Sequence, residues 1–195
     1  MKIVGITGGI GSGKTTVAKM FTALEIPVYN SDIEAKALMN RSKVIRNKLI
    51  KLFGDDAYIE NKLNRPYIAD IIFNDTEYLE KMNAIVHPKV GKHFERWLQK
   101  NFNAPYVIKE SALLFETDAY KKCNYIILVT APIEERIKRV IERDQTTERK
   151  VQAIIDNQSK DSENLSKADF VINNFSLQNT QNQVLDIHEK LLKID

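Results

Sequence analysis

The sequence predicts a three-layer α/β/α fold built on a parallel sheet, with a helical insertion and a lid. Three observations carry that reading. The chain opens with a β-branched apolar run, Lys2–Thr7 (KIVGIT), that ends in glycines. A helical apolar pattern and a second short apolar run follow, so strand, glycine turn, helix and strand form the βαβ unit of a parallel sheet. Later runs at Tyr106–Ile108, Tyr125–Thr130 (YIILVT) and Phe170–Ile172 are continuously apolar, as parallel strands buried on both faces are.

Element by element, Lys14–Leu24 sets Val17, Ala18, Phe21 and Leu24 at helical spacing. Ile26–Tyr29 is the second strand, opened by Pro27 and closed by Asn30, Ser31 and Asp32. The stretch from Ala35 to Lys100 differs in kind, with four expected helices and no expected strand. Asn64 as N-cap and Pro66 just after it open a helix that runs to Phe73. Asp75 or Thr76 opens the next, which should finish near His87 because Pro88 follows. A further helix carries Phe94 and Trp97 on one face. A helical block between the second and third strands reads as an inserted, substrate-holding subdomain. Pro132–Gln158 reads as two charged helices joined by Arg143–Thr147. Gln181–Lys193 closes the chain as an amphipathic helix with Val184, Ile187, Leu191 and Leu192 on its apolar side.

With 195 residues, 43% apolar and 28% charged, the chain suits one α/β domain carrying a small insertion. Net charge is only +3 and no Lys/Arg tract occurs, so a nucleic-acid partner is not expected. The single cysteine, Cys123, excludes an intramolecular disulfide and a cysteine-only metal site. No run approaches the ~20 apolar residues that span a bilayer, and Met1-Lys2 leads straight into the first strand. The expectation is a soluble, cytoplasmic protein with no membrane partner, monomeric by preference.

Gly8-Gly9-Ile10-Gly11-Ser12-Gly13-Lys14-Thr15 matches the P-loop pattern G-x-x-x-x-G-K-[ST] throughout, between a strand and a helix as the motif requires. Glycines let the backbone aim successive N–H groups into one anion-binding hollow, and the following helix adds the positive end of its dipole. Lys14 brings a mobile cation to the β- and γ-phosphates, and the Thr15 hydroxyl is a ligand for Mg²⁺. The cradle for ATP extends through Thr16. The expected fold is therefore P-loop NTPase-like.

A P-loop alone does not separate switches, motors and kinases. No Asp has a Gly three residues later, and Asn61-Lys62-Leu63-Asn64 ends in Asn where a guanine-reading Asp belongs, which speaks against a GTPase. Tyr125–Thr130 continues into Ala131-Pro132 and not into the acidic residues of a motor ATPase. Asp32 favours a small-molecule kinase, because it follows the second strand at the sheet edge where the P-loop also lies. There it could accept a hydroxyl proton, or Asp32 or Ser31 could simply cap a helix starting at Ile33. Arg136, Arg139 and Arg143 share one helix, with the last two a turn apart, as either lid cations or a solvated basic face.

Together these pieces resemble the dephospho-coenzyme A kinase family. The resemblance rests on Ile6–Thr15 with Asp32 following, on Leu63-Asn64-Arg65 continuing to Ile72-Phe73, and on His87-Pro88. It continues in Leu113-Leu114-Phe115-Glu116, in Arg143-Asp144 with Thr147, and in Ala168–Asn174. It implies a nucleotide-binding core at 1–34 and 101–195 with a lid at about 133–158, and a helical acceptor domain at 35–100. It further implies ATP and Mg²⁺ as cofactors and dephospho-CoA as the acceptor, phosphorylated on its ribose 3′-hydroxyl. Asp32 would then be the general base, Lys14 the γ-phosphate stabiliser, and Arg139 and Arg143 the lid cations. Arg65 and His87 would hold the acceptor, with Asn174 near the adenine. The chain departs from the family pattern at Ala112, Lys109-Glu110, Asn30 and Ile154.

Overall fold

The structure is a computed structural model describing residues 1–156, 158 and 161–194, and of residues 161 and 162 the backbone. Residue 157 of the expected lid lies outside the described residues. The chain divides into two compact units, Met1–Asn30 with Asn101–Asp195, and Ser31–Lys100. The division falls after Asn30, where the sequence placed it after residue 34.

The first unit opens with β1 (Lys2–Thr7), α1 (Lys14–Ala23) and β2 (Val28–Asn30). The second holds α2 (Ser31–Arg41), α3 (Lys43–Phe53), β3 (Tyr58–Ile59), β4 (Lys62–Leu63), α4 (Arg65–Asn74) and α5 (Thr76–Lys100). The first then resumes with β5 (Tyr106–Glu110), β6 (Tyr125–Thr130), α6 (Ile133–Asp144) and α7 (Glu148–Asp156). It ends with α8 (Asp161–Leu165), β7 (Phe170–Asn173) and α9 (Leu177–Lys193).

The sheet of the first unit is wholly parallel, in the order β2-β5-β1-β6-β7. Alternate residues point to opposite faces. Val4, Ile6, Tyr106, Ile108, Ile127 and Val129 therefore share one core with Phe21 of α1 and Val184, Ile187 and Leu191 of α9. Ile126 faces the other way, onto Leu114 and Phe115. Burying each such aliphatic or aromatic side chain contributes about 1.5–3 kcal/mol. α9 begins at Leu177, capped by Ser176, whose Oγ accepts from the Asn179 N–H at 3.3 Å. Leu192, expected on its apolar side, is 49% exposed.

Strand β5 runs two residues past its expected end, and both extra residues are charged and buried: Lys109 is 9% exposed and Glu110 3%. Desolvation lowers the Lys109 pKa and pushes the neighbouring Cys123 thiol up to about 11, so this cysteine is an unreactive packing residue.

In the second unit three expectations change. α2 begins at Ser31, not Ile33, so Asp32 sits inside the first turn and is not the residue that precedes the helix. An antiparallel hairpin, β3 with β4, stands where no strand was expected. Its two-residue turn has Glu60 and Asn61 at φ 47° and 66°, the mirror-image geometry that matches strand twist. Glu60 masked the signal that Asn61 offered. α5, finally, does not stop before Pro88. Val86, Val90 and Phe94 lie four residues apart on one buried stripe spanning the proline, and Phe94 stacks on Trp97 at 5.9 Å. That burial outweighs the ~3 kcal/mol cost of an interior proline, which cannot donate to the Ala84 carbonyl. Among the described residues no helix is long and apolar enough to cross a membrane.

Pro88 is exposed, so Pro88→Ala restores the missing hydrogen bond without opening a cavity. Urea unfolding should show stability raised by about 1–3 kcal/mol, and a loss of stability would contradict this account of α5.

Candidate active site

In the first unit, β1 delivers the chain into the glycine loop and α1 leads it out. Gly11 and Gly13 turn at φ 75° and 92°. A Cβ at Gly11 would press on the Arg136 backbone, and one at Gly13 would collide with the Asn174 amide. Glycine here is required both by conformation and by space. α1 starts at Lys14, directly after the loop, and a helix start offers N–H groups and the positive end of its dipole to an anion.

Three side chains hold this loop from outside. Arg136 is 4% exposed and donates from Nε to the Ile10 carbonyl at 2.8 Å. Asn174 is 6% exposed: its Nδ2 donates to the Ser12 carbonyl at 2.8 Å, and its Oδ1 accepts from the Thr180 hydroxyl at 2.9 Å. Gln158 accepts the Ile10 N–H through Oε1 at 2.8 Å. Lys14 folds back on its own loop, donating to the carbonyls of Gly8 at 2.6 Å and Gly9 at 3.1 Å. Those weak neutral acceptors are ones a phosphate would readily replace.

α6 brings Arg139 and Arg143 to the same place. Arg139 donates to the Asn174 carbonyl at 2.9 Å and reaches the Gly11 carbonyl at 3.5 Å. Arg143 is exposed and paired with its neighbour Asp144 through two bonds of 2.7 Å. One cleft is lined by Gly11, Gly13, Lys14, Thr15, Thr16, Arg139 and Arg143. It joins an anion cradle, a mobile lysine and two arginines, the parts that phosphoryl transfer needs for positioning and charge neutralisation.

Glu110 was assigned no role from sequence. At the end of β5, beside β1, it accepts the Thr15 hydroxyl on Oε1 at 2.7 Å and the Asn30 amide on Oε2 at 2.6 Å. The acidic strand end sought at Tyr125–Thr130 thus exists two strands over, on the other side of β1. The available signal was a lone acid closing an apolar strand. Arg136 and Gln158 were likewise read only as parts of charged helices, and nothing local marks either as a loop support.

The remaining expected residues lie in the second unit, each on a different helix. Asp32 occupies the first turn of α2, where a carboxylate meets the positive end of the dipole. Arg65 is the exposed first residue of α4, and His87 lies on α5 with its pKa lowered by partial desolvation. α4 and α5 pack on each other.

A parallel sheet carrying a P-loop, with arginines of a helix pair facing it across one cleft, defines a P-loop kinase. A family model for dephospho-CoA kinase matches residues 2–179. The dephospho-CoA kinase of Bacteroides fragilis is 35% identical over 171 residues, 88% of this chain and 83% of that protein. A crystal structure from Thermus thermophilus superposes with a TM-score of 0.90 at 32% identity, covering 99% of this chain and 98% of the other. The dephospho-CoA kinase of Campylobacter jejuni gives a TM-score of 0.71 at 26% identity over 98% and 97% of the two chains. The chain belongs to the dephospho-CoA kinase family, and its activity is the ATP-dependent phosphorylation of dephospho-CoA in coenzyme A biosynthesis.

Asn174→Asp keeps the shape of the side chain but sets an acceptor against the Ser12 carbonyl. It should lower stability by about 1–3 kcal/mol in thermal or urea unfolding and weaken ATP binding with it. Wild-type ATP affinity would show that the Ser12 tie does not shape the cradle.

Proposed function

We propose that the chain phosphorylates the ribose 3′-hydroxyl of dephospho-CoA, giving coenzyme A and ADP, with ATP bound as its Mg²⁺ complex. The observation that carries this reading is the cleft where Lys14, Thr15, Arg139 and Arg143 meet. ATP phosphates occupy the hollow of Gly8–Thr16, and Lys14 exchanges the Gly8 and Gly9 carbonyls for β- and γ-phosphate oxygens. Arg139 and Arg143 neutralise the charge that builds up on the transferring group.

Thr15 and Glu110 offer a hydroxyl and a carboxylate, hard oxygen donors of the kind Mg²⁺ prefers together with phosphate oxygens. When bound there, Mg²⁺ supplies charge neutralisation on the phosphates.

Asp32 is the general base on the acceptor hydroxyl. Chain connectivity supports this, since two residues reach at most ~7 Å and Asp32 follows Asn30, itself bonded to Glu110. Arg65 binds the acceptor as a cation at the start of α4. His87 binds it as a neutral imidazole at neutral pH, in keeping with its lowered pKa. Asn174 acts near the adenine by holding Ser12 and Thr180, to which its amide is already bonded.

Coupled ADP release tests the acceptor: dephospho-CoA should stimulate turnover, whereas stimulation by nucleosides instead would point to another P-loop kinase. Lys14→Ala should lower kcat by about 10²-fold or more, and activity within tenfold of wild type would remove Lys14 from its role. Asp32→Asn should leave the fold intact and cut kcat by about 10²–10⁴-fold. Normal turnover with reduced stability would make Asp32 a helix-dipole partner and nothing more.

A further inference from the structure

α4 gives only one of its sides to the fold. Ile68 is buried and Ile71 and Ile72 are half-buried, whereas Arg65, Pro66, Ala69, Asp70 and Phe73 are exposed along the opposite side. At 100° per residue, Phe73 stands near the middle of that exposed arc. It is 88% exposed, more than any other large apolar side chain among the described residues. Its ring packs on no other ring and meets no cation there.

A single exposed apolar residue is ordinary. Here the ring continues an apolar strip with Pro66 and Ala69, and cations stand at one end of the strip. Lys62 on β4 and Arg65 are exposed, and neither forms an ion pair among the described residues. Asp70, the acid of this side, does not pair with Arg65, since helical partners sit three or four residues apart. From Arg65 to Phe73 the helix rises by about 12 Å.

Dephospho-CoA is built in the same order. Its reacting ribose also carries the adenine, the anionic diphosphate comes next, and the extended pantetheine arm follows with its apolar gem-dimethyl carbons. Adenine therefore stays with the hydroxyl at Asp32, which α2 supplies. With the diphosphate on Arg65, what is left to lie along α4 is the arm.

We infer that the outer side of α4 is the subsite for the pantetheine arm. Lys62 and Arg65 hold the diphosphate, and Phe73 packs on the apolar part of the arm, so an acceptor carrying the arm is selected over a bare nucleotide. This rests on the reading of Arg65 as an acceptor cation.

Steady-state kinetics with each substrate varied in turn separate this role from a structural one. Phe73 is on the surface, so Phe73→Ala opens no cavity and should leave thermal unfolding where it is. The KM for dephospho-CoA should rise about tenfold, with kcat and the KM for ATP within about twofold of wild type. At saturating ATP, the two halves of the acceptor then serve as inhibitors. The inhibition constant of 4′-phosphopantetheine should rise by the same factor, and that of AMP should not move.

An unchanged KM for dephospho-CoA, a loss shared by kcat or by the KM for ATP, or a wild type that 4′-phosphopantetheine does not inhibit overturns the inference. Weaker inhibition by AMP alone would put the adenine on the ring and overturn it too. So would a changed sedimentation coefficient, which would give the ring to a second copy of the chain. Arg65→Ala keeps the two claims apart. A raised KM there beside a normal one in Phe73→Ala removes only the arm subsite, whereas an unchanged KM in Arg65→Ala overturns the acceptor reading beneath it.

Discussion

Gly11 and Gly13 turn at positive φ and lie so close to Arg136 and Asn174 that a methyl group at either would collide with them. The site depends on that close approach. It lets the loop carbonyls of Ile10 and Ser12 be tied from outside by Arg136 and Asn174, so the loop is rigid before any phosphate arrives. A preformed cradle avoids the entropy of ordering the loop around its ligand. The same contacts join the cradle to the end of β7 and to α6, which carries Arg139 and borders the cleft.

Two departures from the family pattern meet in space. Asn30 ends β2 and Glu110 ends β5, and they are hydrogen-bonded at 2.6 Å. Read singly, each is an odd residue, an amide closing one strand and an acid closing another that is otherwise largely apolar. Together they place one carboxylate, hydrogen-bonded through both oxygens, against the P-loop threonine. Glu110 at the end of β5 thus stands against the P-loop, whereas Lys109, the residue before it, faces the opposite side of the sheet beside the half-buried Cys123, which packs against Leu114 and Phe115.

Much of the fold was legible because its signals are local. β1 and β6 match their apolar runs residue for residue, and the α6–α7 pair breaks where Arg143–Thr147 suggested. Where reading failed, a longer-range term overrode a local one. Pro88 signals a helix end by itself, yet the buried stripe of Val86, Val90 and Phe94 carries α5 through it. Leu192 has the right spacing for the apolar face of α9, but the core is already filled by Val184, Ile187 and Leu191.

The site divides along the same line. The P-loop, its lysine and its threonine are specified by eight consecutive residues, because an anion cradle is made of neighbouring N–H groups and needs no distant partner. From these the sequence by itself marked out a triphosphate site and the residues expected to line it. The supports are another matter. Glu110 reaches Thr15 across 95 residues, Arg136 reaches Ile10 across 126, and Asn174 reaches Ser12 across 162. A hydrogen bond between residues so far apart leaves no periodicity or spacing to read. Only the tertiary structure, by laying β5, β1, β6 and β7 side by side, decided that these three polar residues are buried against the loop and not dissolved in water.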